Sequence, residues 1–302
     1  MRAQSDGHHA DLAAALDHLL SSGGKRIRPA VALLTGSMLE ADPDKLITLA
    51  AAIELLHTAT LVHDDLIDGS LLRRGLPTLN AHWTPAATVL TGDFIFARAA
   101  KLAAETNSVE VMRLFAETLA TIVNGEITQM FRNSSGATYR EEYFERIYSK
   151  TASMFELATT AAAVLSRVGE SAREAVRNYG YEIGMAFQIV DDVLDFTGEQ
   201  DTVGKPVASD LRQGLITLPT INYLEAHPDD PGLRFLRAGA QIDETRLLKL
   251  AQSIRESEAI EEAIDEARGF VERALDCLEE FPASIERKAL EDLGMYIVHR
   301  HL

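Results

Sequence analysis

Two groups of aspartates carry the strongest chemical signal in this chain. His63-Asp64-Asp65-Leu66-Ile67-Asp68 closes one long apolar run. Gln188-Ile189-Val190-Asp191-Asp192-Val193-Leu194-Asp195 follows a second, shorter one at 183–187. Within each group the first and last aspartates are four apart, so on a helix they share a face one turn apart. Carboxylates stacked at the negative end of a helix macrodipole repel each other, and a cation relieves that repulsion. Hard oxygen donors suit Mg²⁺, which typically keeps its remaining positions for water and phosphate oxygens. A single group of this kind is more often a solvated acidic helix end. Its recurrence at the same spacing, again at the close of an apolar run, favours metal-held phosphate chemistry.

Basic and polar residues recur around the aspartates. Gly23-Gly24-Lys25-Arg26-Ile27-Arg28-Pro29 is a glycine turn leading into a helix start, with Lys25 and Arg28 three apart. Such a turn is a candidate anion site. Arg73 and Arg74 follow the first acidic group, and Lys205 falls in a loop after the second. Lys150 and Thr151 interrupt an apolar stretch, and Gln188 stands three before Asp191. His57 stands seven before Asp64, on the same helical face and two turns deeper. Taken singly, each has an ordinary reading: a surface basic loop, a snorkelling lysine, a hydrogen-bonded core histidine.

The elements that must position these residues are helical throughout. Apolar periodicity predicts helices over 11–21, 30–40, 45–67, 85–104, 108–131, 139–167, 171–197 and 211–226. Acidic amphipathic helices, carrying no evident chemistry, should fill 233–302, with breaks near Asp243 and at Phe281-Pro282. Loops are expected at 133–136 and 198–210, and Pro219 should sit near a helix start. The segment 45–67, apolar nearly all round and roughly 35 Å long, should be buried. No strand alternation, glycine-rich nucleotide fingerprint or repeat period is visible. The expected fold is therefore all-α, a single domain spanning 1–302, built as a bundle of ten or more helices around a central cavity. Helices 45–67 and 171–197 should face each other across it.

Composition narrows the partners. The 302 residues are 46% hydrophobic, enough for a large core, and the net charge is −17. That balance argues against nucleic acid or an anionic membrane surface as the main partner. A small anionic substrate stays compatible, because bound metals and local cations invert the field. A single cysteine, Cys277, rules out an internal disulfide framework and suits a reducing, cytoplasmic setting. The first residues lack the pattern of a signal peptide, no apolar run is expected to span a bilayer, and no stable membrane anchor is expected.

Taken together, these residues resemble the polyprenyl diphosphate synthases, the head-to-tail trans-prenyltransferases. The likeness runs from GGKRIRP at 23–29, through LVHDDLIDGSLLRRG at 61–75, GDFIFARA at 92–99, KTA at 150–152 and FQIVDDVLDFTG at 187–198, to Gly204-Lys205 and TLP at 217–219. Each motif is modest alone, but the order and spacing are specific. The resemblance implies the isoprenoid synthase fold, usually as a homodimer. It implies condensation of an allylic diphosphate with isopentenyl diphosphate, with release of diphosphate. By the same resemblance, Asp64, Asp68, Asp191, Asp192 and Asp195 bind Mg²⁺ around the allylic diphosphate, and Arg73, Lys150 and Lys205 contact that group. Lys25, Arg28, His57 and Arg74 hold isopentenyl diphosphate. Thr151 and Gln188 turn oxygen dipoles toward the allylic cation, which places Lys150, Thr151 and Gln188 in the catalytic set.

Two departures from the family pattern stand out. Leu215 follows Gly214 where the family often carries lysine, and the helix before GGKRIRP is short. The small residues Ala59 and Thr60, one turn before Asp64, with Leu56 beyond, should leave room for a growing tail. The product expected is longer than C15, in the range C20 to C50. Other readings fit less well. Glu54-Leu55-Leu56-His57 matches half of a diiron motif, but no second copy exists. A phosphohydrolase built on His63-Asp64 leaves the second acidic group unexplained. A terpene cyclase has no need of GGKRIRP. A weakly active or regulatory subunit of a heteromeric synthase is the remaining alternative, kept open by Leu215.

Overall fold

The computed structural model describes residues 9–21, 23–73, 75–131, 139–198, 208–230 and 244–300. Arg74 and Lys205, two of the expected substrate cations, lie outside the described residues.

The described chain is all-α apart from one short hairpin. Helices α1 (Ala10–Ser21), α2 (Ile27–Met38) and α3 (Pro43–Ile67) lead into strands β1 (Leu72–Arg73) and β2 (Leu76–Pro77). Then come α4 (Leu79–His82), α5 (Pro85–Glu105), α6 (Val109–Met130) and α7 (Tyr139–Ile147). A π-helical turn, Tyr148–Ala152, joins α7 to α8 (Ser153–Val164), and α9 (Glu170–Thr197) follows. The remainder is α10 (Ser209–Arg212), α11 (Leu218–Ala226), α12 (Glu244–Glu256), α13 (Ala259–Asp276) and α14 (Ile285–His299). Packing divides the chain into two compact units. The first takes Met1–Leu119, Leu157–Arg177 and Ala283–Leu290; the second takes Ala120–Glu156, Asn178–Pro282 and Glu291–Leu302.

The first unit is built on α3. Asp42 caps its start, accepting from the Asp44 and Lys45 amides at 3.0 and 3.4 Å, and Pro43 occupies the first turn. Leu49, Ala52, Ile53, Leu55, Leu56 and Ala59 are buried, chiefly against α5 and α2. By length and hydropathy α3 could cross a membrane, contrary to the sequence expectation, but 67% of its most apolar window is buried inside the protein. In the second unit Tyr143, Phe155, Tyr179, Ile183, Met185 and Phe196 are completely enclosed. Phe196 also joins a cluster with Leu211, Leu224, Leu250 and Ile254.

Several expected elements differ in form. The segment 139–167, read as one helix, is broken by the π turn. Hydroxyls compete there with the backbone: Ser149 donates to the Glu145 carbonyl at 2.9 Å and Ser153 donates to that of Ser149 at 2.9 Å. The segment 211–226, also read as one helix, splits into α10 and α11. Gly214, at φ +77°, takes the left-handed conformation that ends the first piece, and Pro219 lies in the first turn of the second. Strands were not expected. The two-residue hairpin pairs Leu72 with Pro77 and Arg73 with Leu76, a length too short to show alternation.

Candidate active site

At the C-terminal end of α3 the three aspartates separate by direction. The Asp68 amide donates to the Asp64 carbonyl at 2.8 Å, so the helix is regular to its last turn. Asp64, half-buried, and Asp68, exposed, therefore share a stripe that continues inward through Leu61 and His57. Asp65 is one step, about 100°, around the helix and is buried. It accepts from Arg73 Nε at 2.8 Å, because the hairpin carries Arg73 back over the helix end.

His63 anchors this end on α5. Its Nε2 lies 3.2 Å from the Val89 carbonyl and 3.6 Å from Asp93 Oδ1, and its ring rests on Phe96 with centroids 5.3 Å apart. Gly92 faces the same imidazole so closely that a Cβ there would collide with it. The GDFIFARA run thus serves as the bed of His63.

The basic loop docks on α3 two turns deeper. Arg26 stands at φ +49° ahead of α2, and its guanidinium bonds Glu54 and the Leu20 carbonyl, the latter at 3.1 Å. Arg28 Nη1 lies 3.3 Å from His57 Nε2, the imidazole accepting from the guanidinium. Glu54 and His57, three apart on one face, therefore hold Arg26 and Arg28. That use of the carboxylate removes the diiron reading of the Glu54–His57 pair. Lys25 is exposed beside them. Sequence reasoning missed Arg26 and Glu54 as the brace of this loop; a nearly buried glutamate in an apolar helix was the available sign.

The second acidic end distributes its aspartates differently. Asp192 is buried and accepts from Tyr143 Oη at 2.9 Å and from Gln188 Nε2 at 2.7 Å. Burial, aided by the nearby Asp210, pushes its pKa up to about 8. Asp195 accepts the Ser209 amide and hydroxyl at 3.1 and 2.6 Å and the Asp210 amide at 3.1 Å, which fastens α10 to the end of α9. Asp191 keeps 41% of its side chain exposed. All three were expected from sequence to serve a metal, and their partners in this structure differ. Asp192 turns inward because it is one residue on around the helix, and both Asp195 oxygens already bind the chain.

The polar residues around this end form one chain of hydrogen bonds. Thr151 Oγ1 donates to Gln188 Oε1 at 2.7 Å, and Gln188 passes the link to Asp192. Gly184 permits this approach: a Cβ there would run into the backbone of Ala152. Lys150 Nζ is 2.8 Å from Glu126 Oε1, a partner not foreseen from sequence. Arg146 donates to the Ile216 carbonyl at 2.7 Å, setting a cation beside the segment where Leu215 replaces a lysine. Leu56 and Ala59 are wholly buried and Thr60 is 8% exposed, so the expected chain-length residues lie in the interior.

Among the described residues no group of three or more His, Cys, Asp or Glu side chains converges as a metal cage. Mg²⁺ is usually bound through one or two carboxylates plus substrate phosphates and water. Asp64 with Asp68, and the half-exposed Asp191, supply donors of that kind.

Comparison with known proteins settles the family. The polyprenyl synthetase family model matches residues 9–251. This chain belongs to the polyprenyl synthetase family. The enzyme is thus a prenyltransferase. It is 38% identical to the geranyl-diphosphate-specific all-trans-nonaprenyl-diphosphate synthase of Rhodobacter capsulatus, over 94% of this chain and 87% of that one. It is 35% identical to the octaprenyl diphosphate synthase of Haemophilus influenzae, again over 94% and 87%. Its fold superimposes with a TM-score of 0.92 on a polyprenyl synthase from Caulobacter crescentus crystallised with calcium and isoprenyl diphosphate, at 36% identity, covering 100% of this chain and 92% of that one. A divalent metal belongs to the chemistry of these synthetases, and the Caulobacter structure carries one.

Proposed function

We propose that this synthetase condenses an allylic diphosphate with isopentenyl diphosphate, repeatedly, to give a trans-polyprenyl diphosphate longer than C15 and within C20 to C50. The observation that carries this reading is the pair of acidic helix ends, each turning carboxylates outward at Asp64 with Asp68 and at Asp191. Mg²⁺ bound at these carboxylates supplies charge neutralisation for the departing diphosphate. The allylic C–O bond breaks, its electron pair stays with the diphosphate, and the isopentenyl double bond adds to the carbon left cationic. In this reading Arg73, Lys150 and Lys205 assist by supplying positive charge to that diphosphate. Lys25, Arg28 and Arg74 hold the isopentenyl diphosphate, with His57 orienting Arg28 through their 3.3 Å contact. Oxygens of Thr151 and Gln188 stabilise the cation. The loss of one proton then restores the double bond, and the released diphosphate takes that proton.

The test is turnover by purified protein with Mg²⁺, isopentenyl diphosphate and, separately, dimethylallyl, geranyl and farnesyl diphosphate. Elongated products with at least one primer are expected. No product with any of them would overturn the reading and favour a regulatory subunit.

Product length is tested at Ala59. The similarity to octaprenyl and nonaprenyl synthases supports a long chain. Because Ala59 is wholly buried, Ala59→Phe must displace its neighbours, at a cost of about 1–3 kcal/mol. A folded variant is expected to make shorter products by chromatography; an unchanged length distribution would remove Ala59 from the wall of the tail.

The enzyme works as a homodimer in this reading. Val123, Ile127 and Phe131 follow at four-residue intervals along and just beyond α6, and with Met130 they remain exposed, Phe131 by 79%. An apolar row of that kind suits a second copy of the chain. Light scattering that gave a monomer mass at micromolar concentration would refute it.

A further inference from the structure

The C-terminal helices, which showed no chemistry in the sequence, deliver one residue to the second acidic end. Arg300 follows α14 directly, and its side chain is only 4% exposed. Its guanidinium lies over the Phe187 ring, with Cζ 4.3 Å from the centroid. Nη2 donates to the Phe187 carbonyl at 2.8 Å and stands 2.7 Å from Asp191 Oδ1. Nε and Nη1 are buried with no hydrogen-bond partner among the described residues. Burying a guanidinium with donors unmet is costly, so stability alone is a poor reason for its presence. The carboxylate it meets is the second end's half-exposed aspartate.

We infer that Arg300 is a positioning residue that acts as an internal cation, holding the Asp191 carboxylate in the metal-free enzyme and yielding it when a divalent metal binds. The inference rests on the reading of Asp191 as a metal ligand. A guanidinium at this distance both occupies the oxygen a metal needs and repels the incoming ion. Its stack on Phe187 fixes it in place, while the exposed side of Asp191 leaves the metal a route. The second end therefore resists metal until something further offsets the repulsion, and the anionic diphosphate of the substrate does so. Arg300 in this way ties metal loading to substrate at Asp191.

The experiment measures Mn²⁺ affinity of the full-length, metal-free enzyme by electron paramagnetic resonance, with and without inorganic diphosphate. Arg300→Met, which keeps the apolar stem, is expected to bind Mn²⁺ about tenfold more tightly without diphosphate and to gain less when diphosphate is added. Arg300→Lys, which keeps the charge, should stay close to the unaltered enzyme; a merely structural role would not sort the variants by charge. Unchanged or weaker Mn²⁺ binding by a folded Arg300→Met, judged by circular dichroism, overturns the inference. Asp191→Asn separates the two possible failures. If it leaves Mn²⁺ binding intact, Asp191 is not a ligand and the parent reading fails. If it weakens binding while Arg300→Met changes nothing, only the role of Arg300 fails. A second measurement needs no neutral variant: in the unaltered enzyme the Arg300 Nε–H signal, assigned by its loss in Arg300→Lys, should move on adding Mg²⁺ with diphosphate, and a stationary signal would count against the exchange.

Discussion

The ends of α3 and α9 carry aspartates at one spacing and employ them differently. On α3 the second aspartate, Asp65, is buried against a cation, Arg73, while Asp64 and Asp68 share the outward stripe. On α9 the second aspartate, Asp192, is buried against neutral donors, Tyr143 and Gln188, and its acidity is weakened by that burial. The last aspartate parts company too: Asp68 faces solvent, whereas Asp195 fastens α10. One motif thus offers two outward carboxylates at the first end and one at the second. A repeated spacing fixes which residues share a helix face, but the neighbouring chain decides which of them stay open to a ligand.

The largest test of that comparison is at the first aspartate of each group. Asp64→Asn and Asp191→Asn should each lower kcat by about 10³-fold, the scale of removing one electrostatic contact to developing charge. The urea midpoint of the metal-free protein should hardly move for Asp64→Asn, but should fall for Asp191→Asn, which leaves the buried Arg300 guanidinium without its carboxylate. A loss below tenfold for Asp191→Asn, with Asp64→Asn fully impaired, would make the α9 end structural and break the parallel.

Much of this was legible in the residues. Residues 45–67 and 171–197 were read as α3 and α9 nearly to their bounds, because a proline-free stretch of more than twenty residues with a helical run of apolar positions leaves little choice of element. Arg28 and His57, assigned from sequence to one ligand, lie 3.3 Å apart. What stayed hidden depended on long-range packing. Glu126 is 24 residues from Lys150 in sequence, and Arg300 is more than a hundred from Asp191, so no local pattern links them. The π turn at Tyr148–Ala152 was hidden for another reason: it is set by hydroxyl competition and by the missing Cβ of Gly184, neither of which disturbs the apolar rhythm.

The next effect in size concerns the glycines beneath each end. Gly92 lies against the imidazole of His63, the terminus of a side chain that can swing. Gly184 lies against the backbone of Ala152, which cannot move without disturbing the π turn. Gly184→Ala should therefore cost about 3 kcal/mol of unfolding free energy, and Gly92→Ala about 1 kcal/mol, the upper and lower parts of the overpacking range. Denaturant titration measures both. Equal losses would mean that His63 is held as rigidly as the chain itself.

The smallest effect concerns the partners of the inward aspartates, Asp65 and Asp192. Tyr143 is fully buried, and its hydroxyl reaches Asp192 at 2.9 Å. Tyr143→Phe leaves an enclosed carboxyl with fewer donors and nothing from solvent to replace the loss, so about 1–2 kcal/mol should go. Arg73 is 34% exposed, and water can take over much of what its guanidinium gives Asp65. Arg73→Met should therefore cost less, about 0–1 kcal/mol, as for exposed ion pairs. The order matters more than either figure. Coulomb's law alone would rank the charged pair above the neutral one, and burial reverses that ranking only if solvent enters at Arg73 and is kept out at Tyr143. Urea unfolding of both variants without metal reads the difference directly. A larger loss for Arg73→Met would show that the α3 end is the drier of the two, and its outward carboxylates would then be harder, not easier, for a hydrated Mg²⁺ to reach.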